Sequence, residues 1–241
     1  MPLPVFGSYS FAWLAETAAI TQQKAGVAGP VLSPTRLGGA VEISKRLLLQ
    51  SSVNVEGTIR QLLFDGYEAA INAAAINGSG AANQPTGILN TSGIGAGSSS
   101  AAVVPTRSLV LELVAAIEAA NAAGQNLAFL MNPVLKNLLQ NVKIDTGSGR
   151  FLMEAANELL GYKAVSTTHV PTLTGDNNPL IFGDWSKMFI GEWGSMSLLS
   201  DPYSAALSNS VRLIVNGHAD VKVAQPTAFA ANKWFNDTAA V

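Results

Sequence analysis

Two short stretches hold the residue types that chemistry most often uses. The first, Asn77-Gly78-Ser79-Gly80-Ala81-Ala82-Asn83-Gln84-Pro85-Thr86-Gly87-Ile88-Leu89-Asn90, places three glycines and a proline directly after an alanine-rich run. A phosphate cradle leaves a strand and enters a helix, so that helix N-terminal amides meet the anion. Here the glycines follow a helical pattern, whose carbonyl end faces the loop, and no Gly-Lys-Ser/Thr follows. The nucleotide reading fails on polarity and on spelling.

The second stretch is Asp145-Thr146-Gly147. Proteolysis by such a triplet needs two carboxylates sharing one proton. The chain has a single copy, so a homodimer would be required, and an ordinary Asp-Thr-Gly turn is the plainer reading. His169 and His218 are far apart in the chain, and no Gly-x-Ser-x-Gly elbow accompanies either. Both read as solvent-facing loop residues. There is no cysteine, which removes disulfides, thiolate ligands and cysteine nucleophiles. Neither catalysis nor a cofactor nor a metal is expected.

Composition points elsewhere. Of 241 residues, 48% are hydrophobic and only 12% charged, about half the usual charged share of ~25%. So few charges imply that much surface is covered, in the core or by partners. The net charge is −2, without a Lys/Arg block, so duplex recognition is not expected. The N-terminal residues lack the pattern of a signal peptide. No apolar run reaches the ~20 residues that span a bilayer, and a soluble intracellular protein is the default expectation.

The elements follow from periodicity. Ala12 to Ile20 and Arg36 to Ser44 read as two extended arms around a Gly/Pro-rich stretch, forming a projecting β-hairpin. From Asn54 to Ile76, Ile59, Leu62, Leu63, Gly66, Ala70 and Ala74 make one apolar helical stripe, a rod of roughly 33 Å. Asn77-Gly78 is expected to end it in the left-handed conformation. Residues 91–105 read as a mobile surface loop. Thr106 caps a helix carrying Leu109, Leu113 and Ile117 and ending near Gly124. Residues 127–131 form a buried strand, and Asn132-Pro133 opens a short helix through Leu138. Phe151 to Leu160 reads as another helix, stopped at Gly161. Short strands are expected around Lys163–Thr167, Leu180–Phe182 and Lys187–Ile190. Asn216-Gly217, between alternating residues, signals a terminal hairpin. The fold class is mixed, α/β or α+β. Trp13, Trp185, Trp193 and Trp234 are either core or subunit contacts.

The order of several motifs resembles the tailed-bacteriophage major capsid proteins of the Hong Kong 97 type. Trp13-Leu-Ala-Glu16 is similar to the segment entering that family's extended loop, and Leu32-Ser-Pro-Thr-Arg-Leu37 with Val41-Glu-Ile-Ser44 to the segment leaving it. The long helix ending in Asn77-Gly78-x-Gly80, then Gln84-Pro85-x-Gly87-Ile88-Leu89, is the most specific match. Phe129-Leu-Met-Asn-Pro133, Leu160-Gly-Tyr-Lys-Ala-Val165, Phe182-Gly-Asp-Trp185, Ile190-Gly-Glu, Asp201-Pro202-Tyr203 and Gln225-Pro-Thr-Ala-Phe229 follow in the family's order.

The resemblance implies an α+β fold of four parts. These are an N-terminal arm and extended loop (1–46), a first peripheral part with the spine helix and joint (47–90), an axial domain (91–200), and a second peripheral part with the terminal hairpin (201–241). It implies a shell enclosing phage double-stranded DNA, built from hexamers and pentamers, assembled in a bacterial cytoplasm and carried in the virion. Trp13, Glu16, Lys24, Gly78, Gly80, Pro85, Gly87, Asp201 and Pro202 become its structural or assembly residues. Separate scaffolding, portal and decoration proteins and non-specific DNA contact are implied, with no membrane. Some members cross-link through lysine, asparagine and a catalytic glutamate. Lys24 and Asn209 match the first two, but Ile214-Val-Asn-Gly217 holds no acid, so no isopeptide bond is expected. An encapsulin-like shell binding cargo protein and a homodimeric aspartic protease using Asp145 are the alternatives.

Overall fold

The alanine-rich pattern becomes the longest described helix of the computed structural model, which describes residues 1–2, 11–17, 19–20, 22, 29–50, 55–145, 147 and 149–236. Strand β1 (Thr35–Ser44) runs into a short helix α1 (Lys45–Gln50), and then α2 (Val55–Asn77) follows. Glu56 and Arg60 pair across one turn of α2, at 3.2 Å from Nε to Oε1. Ala74 of the apolar stripe and its neighbour Ala75 are buried.

Strand β2 (Gly95–Ala96), helix α3 (Arg107–Ala119), strand β3 (Leu127–Met131) and helix α4 (Pro133–Asn141) come next. Thr106 Oγ1 accepts the Leu109 amide, and Asn132 Oδ1 accepts that of Leu135 at 2.8 Å, so both helices open on the expected caps. The α3 stripe that is fully covered is Val110, Leu113, Val114 and Ile117.

Strands β4 (Glu158–Leu159), β5 (Tyr162–Ser166), β6 (Asn178–Asp184), β7 (Met188–Glu192), β8 (Ser197–Asp201), β9 (Ser210–Val223) and β10 (Phe229–Phe235) complete the chain. They form two sheets. In one, β9 pairs with β1 on one edge and with β7 and β8 on the other, all antiparallel. The other has the order β2-β10-β6-β3-β5-β4. Helix α3 packs against β10, β2 and β6. The main core lies there, around Phe129, Phe182, Phe229 and Phe235. The Phe129 and Phe182 rings lie 4.3 Å apart, and Tyr162 meets Phe182 edge-on. A smaller core of Ile71, Ala75, Ala219 and Val221 lies between α2 and the first sheet.

Several expectations change. The terminal hairpin at Asn216-Gly217 does not exist, because β9 is one strand of 14 residues passing straight through it. Gly217 is there for space: a Cβ on it would lie 2.2 Å from the Tyr67 hydroxyl of α2. The helix expected from Phe151 to Leu160 is replaced by irregular chain and β4. Its amides serve the exit of α4, Leu152 donating to Val142 and Met153 to Leu139. Leu160 and Gly161, both with positive φ, make the two-residue turn between β4 and β5.

Residues 91–105 are fastened rather than loose. β2 pairs with β10, the Val103 amide donates to the Trp234 carbonyl, and Glu112 accepts both the amide and hydroxyl of Ser98. β1 pairs with β9 along its whole length, and no described residue of 11–22 belongs to a strand. The tip of the expected hairpin lies outside the described residues. The sheets also cross the expected boundary at 200/201. β7 and β8 join the β9 sheet, whereas β10 returns to the other one.

Candidate functional site

The Gly-rich stretch forms a tight knot where α2 stops. The Gly78 amide still donates to Ala74 as the last helical bond, and the Gly87 amide then donates back to the Gly78 carbonyl at 2.9 Å. The Gly80 amide donates to the Pro85 carbonyl, and Ser79 and Thr86 bridge as antiparallel partners. Asn90 closes the knot with its side-chain amide on the Gly78 carbonyl at 3.0 Å.

Contrary to expectation, neither Asn77 nor Gly78 is left-handed; the positive φ angles come later in the loop, at Gly80 (+69°), Ala82 (+51°) and Asn83 (+63°). Gly78 and Gly87 are required by proximity. A Cβ on Gly78 would stand 2.1 Å from the Pro85 carbonyl oxygen, and one on Gly87 would stand 2.4 Å from the Gly78 nitrogen. Beyond the knot, Ile88 and Leu89 are buried in the main core, beside Ile76 from the helix end. The loop therefore ties α2 to the six-stranded body.

The remaining residues singled out in the sequence are not gathered into one site. Trp13 is fully exposed at 105%, Phe11 at 97%, and Glu16 is exposed. Lys24 lies outside the described residues. Asp201 ends β8 and caps a turn. Its Oδ1 accepts the amides of Tyr203 and Ser204, and its Oδ2 the Ser204 hydroxyl. The Ser204 hydroxyl, then the two amides, hold the carboxyl below its ordinary pKa. Pro202 begins that exposed turn, and Tyr203 and Leu207 beyond it are exposed at 85% and 107%. Asn209 is left-handed, and its carbonyl accepts the Lys45 amide.

The chemical readings find no support in the geometry. Asp145 is exposed and its Oδ1 accepts the Gly147 amide, as an Asx turn would. His169 is half-buried and His218 exposed. Among the described residues no three His, Asp or Glu side chains cluster as a metal would require. No described helix is long and apolar enough to cross a membrane.

Sequence reasoning placed Asn132 as a helix cap but missed its second bond, and it missed two buried acids, Asp184 and Asp220. Asn132 also donates to Asn178 Oδ1 at 2.6 Å. Asp184 is 1% exposed and accepts the Ser186 amide. Asp220 is 2% exposed and accepts the Ser33 amide across 187 residues of chain. Asn132 and Asp184 lie within the 129–133 and 182–185 motifs, but neither motif told of burial; for Asp220 the oddity of an acid in an apolar strand is the sequence signal.

The described residues thus form two sheets with α2 tied to both cores, and they display aromatic side chains outward. The chain belongs to the Phage capsid family, whose model matches residues 1–233. It is 27% identical over 161 residues to the major capsid protein of Halomonas phage phiHAP-1, covering 67% of this chain and 26% of that protein's length. Among solved structures it is similar to the capsid of a native GTA particle, with TM-score 0.78 at 22% identity over 98% of this chain and 85% of the other. The capsid of the empty GTA particle gives 0.74 at 25% identity, over 96% and 82%. Gordonia phage Cozz gives 0.73 at 19%, over 97% and 80%. The fold is thus the mixed capsid fold that the motif order implied.

Proposed function

We propose that the chain is the repeating unit of an icosahedral phage shell, assembling through hexamers and pentamers around double-stranded DNA. The observation that carries this is the display of Phe11 and Trp13, 97% and 105% exposed, on a chain with only 12% charged residues. Exposed aromatic residues of this size belong under a neighbour. Family membership says what kind of neighbour: further copies of the chain. A closed shell follows from point symmetry rather than from open fibres.

In this reading, α2 and the β9 sheet form the peripheral part, and the six-stranded sheet with α3 and α4 forms the axial part. The arm, with Trp13 and Glu16, reaches to neighbours. The subunit is not an enzyme, it is carried in the virion, and it assembles in the bacterial cytoplasm. Portal and decoration proteins complete the particle. Contact with packaged DNA is non-specific, since the sequence carries no Lys/Arg block.

Electron microscopy of the purified protein, alone and with co-expressed scaffold candidates, tests this. Uniform shells, or ring-shaped hexamers and pentamers, are expected. A chain that stays monomeric under all conditions overturns it.

A further inference from the structure

Residues 31–33 cross the face of the β9 sheet opposite α2. Alternation along β9 puts Leu213, Val215, Ala219 and Val221 against the helix side, where they are buried. Asp220 points to the other face, is still 2% exposed, and lies opposite Gly191 of β7. What covers it is the incoming chain. The Ser33 amide donates to Asp220 Oδ2 at 2.9 Å, and the Val221 amide to Oδ1 at 2.8 Å. Leu32, 5% exposed, sits over Gly191, where a Cβ would stand 3.2 Å from its Cδ1. Gly191 thus leaves the hollow that Leu32 fills. The same segment bridges Val31 to Pro2, and the Leu32 amide donates to the Met1 carbonyl at 2.8 Å.

We propose that Asp220 is a positioning residue: with Leu32 it latches residues 31–33 to the sheet, and so sets where the arm is anchored during assembly. A buried acid is expensive unless it is hydrogen-bonded. Placed in a strand beside valines and alanine, it makes the docked position of this one amide preferable to a slid or peeled one. An apolar residue would hold the segment by contact alone and would not choose between neighbouring registers. The inference rests on the shell reading for its consequence, but the latch itself is a property of the subunit.

The test uses the full chain and two readouts: amide hydrogen exchange in unassembled subunits, and particle shape by electron microscopy. Asp220→Ala is expected to speed exchange at residues 31–33 by about tenfold or more while α3 and β6 keep their protection. It should also turn uniform shells into malformed or open ones. Asp220→Asn keeps the shape but turns an amide group toward one of the two N–H donors, and should fall between. Leu32→Ala, which leaves every β9 hydrogen bond in place, should loosen the same residues. Ser33→Ala keeps the N–H donor and should match the parent. Unchanged exchange at 31–33 in Asp220→Ala, or an equal rise throughout the chain, overturns the latch. Local loosening with normal shells overturns its role in assembly. A parent protein that forms no shells strikes the shell reading instead, and exchange then still decides the latch.

Discussion

The amide of Gly87 donates to the carbonyl of Gly78 at 2.9 Å, so the two glycines face each other with no room for a side chain between them. This single contact folds the chain back where the spine helix ends and sends Ile88 and Leu89 into the main core.

Gly87→Val is therefore expected to destabilise the subunit by about 3 kcal/mol or more, because its Cβ would overlap backbone rather than a flexible side chain. Gly87→Ala should already be costly. The denaturant midpoint of soluble protein measures this; a midpoint equal to the parent's would mean the knot is not closed as described.

Gly217 and Tyr67 give a paired prediction. Gly217→Ala drives a methyl into the Tyr67 hydroxyl and should cost about 1–3 kcal/mol. Removing that hydroxyl with Tyr67→Phe should recover part of the loss, so the double variant should be more stable than the sum of the singles predicts. Strict additivity in thermal unfolding would show that the two residues do not touch.

Asp201 should titrate below an ordinary aspartate because the Ser204 hydroxyl and two amides stabilise its charged form. A depressed folded pKa contributes stability above the unfolded value, near 3.9, and that contribution disappears as pH falls through the folded value. The 201–204 turn should thus loosen only in acid. Ser204→Ala should raise the Asp201 pKa toward normal when followed by NMR; no movement would contradict the assigned cause.

Covalent cross-linking between subunits is not expected, since residues 214–217 of β9 supply no carboxylate. Boiled, reduced particles should run as one band near 25 kDa; the mass is 25.0 kDa. A ladder of multiples would reverse this.

Most helices and strands were legible because their signals are local. Thr106 and Asn132 announce two helix starts, and 127–131 is an uninterrupted apolar strand. The β9 error was also correctable from sequence. A two-residue turn at 216–217 would pair Leu213 with Asp220 and Val215 with His218, setting apolar against polar residues. Read as one strand, Leu213, Val215, Ala219, Val221 and Val223 fall on a single face. The Phe151–Leu160 segment was different. Its amides are taken by carbonyls of α4 and the residue after it, a tertiary demand that overrides helix propensity. The docking of Ser33 on Asp220 was invisible for the same reason: 187 residues separate the partners.

β10 lies between β2 and β6, although it is made long after both. On a ribosome, the interval from residue 184 to residue 229 takes roughly 2 to 9 seconds at ordinary elongation rates. Through that interval β2 has no partner and one edge of β6, carrying Leu180, Ile181 and Phe182, stays open. An open apolar edge invites pairing with other nascent chains. Translation speed across residues 185–228 is thus a direct lever on how much of this subunit reaches its native state.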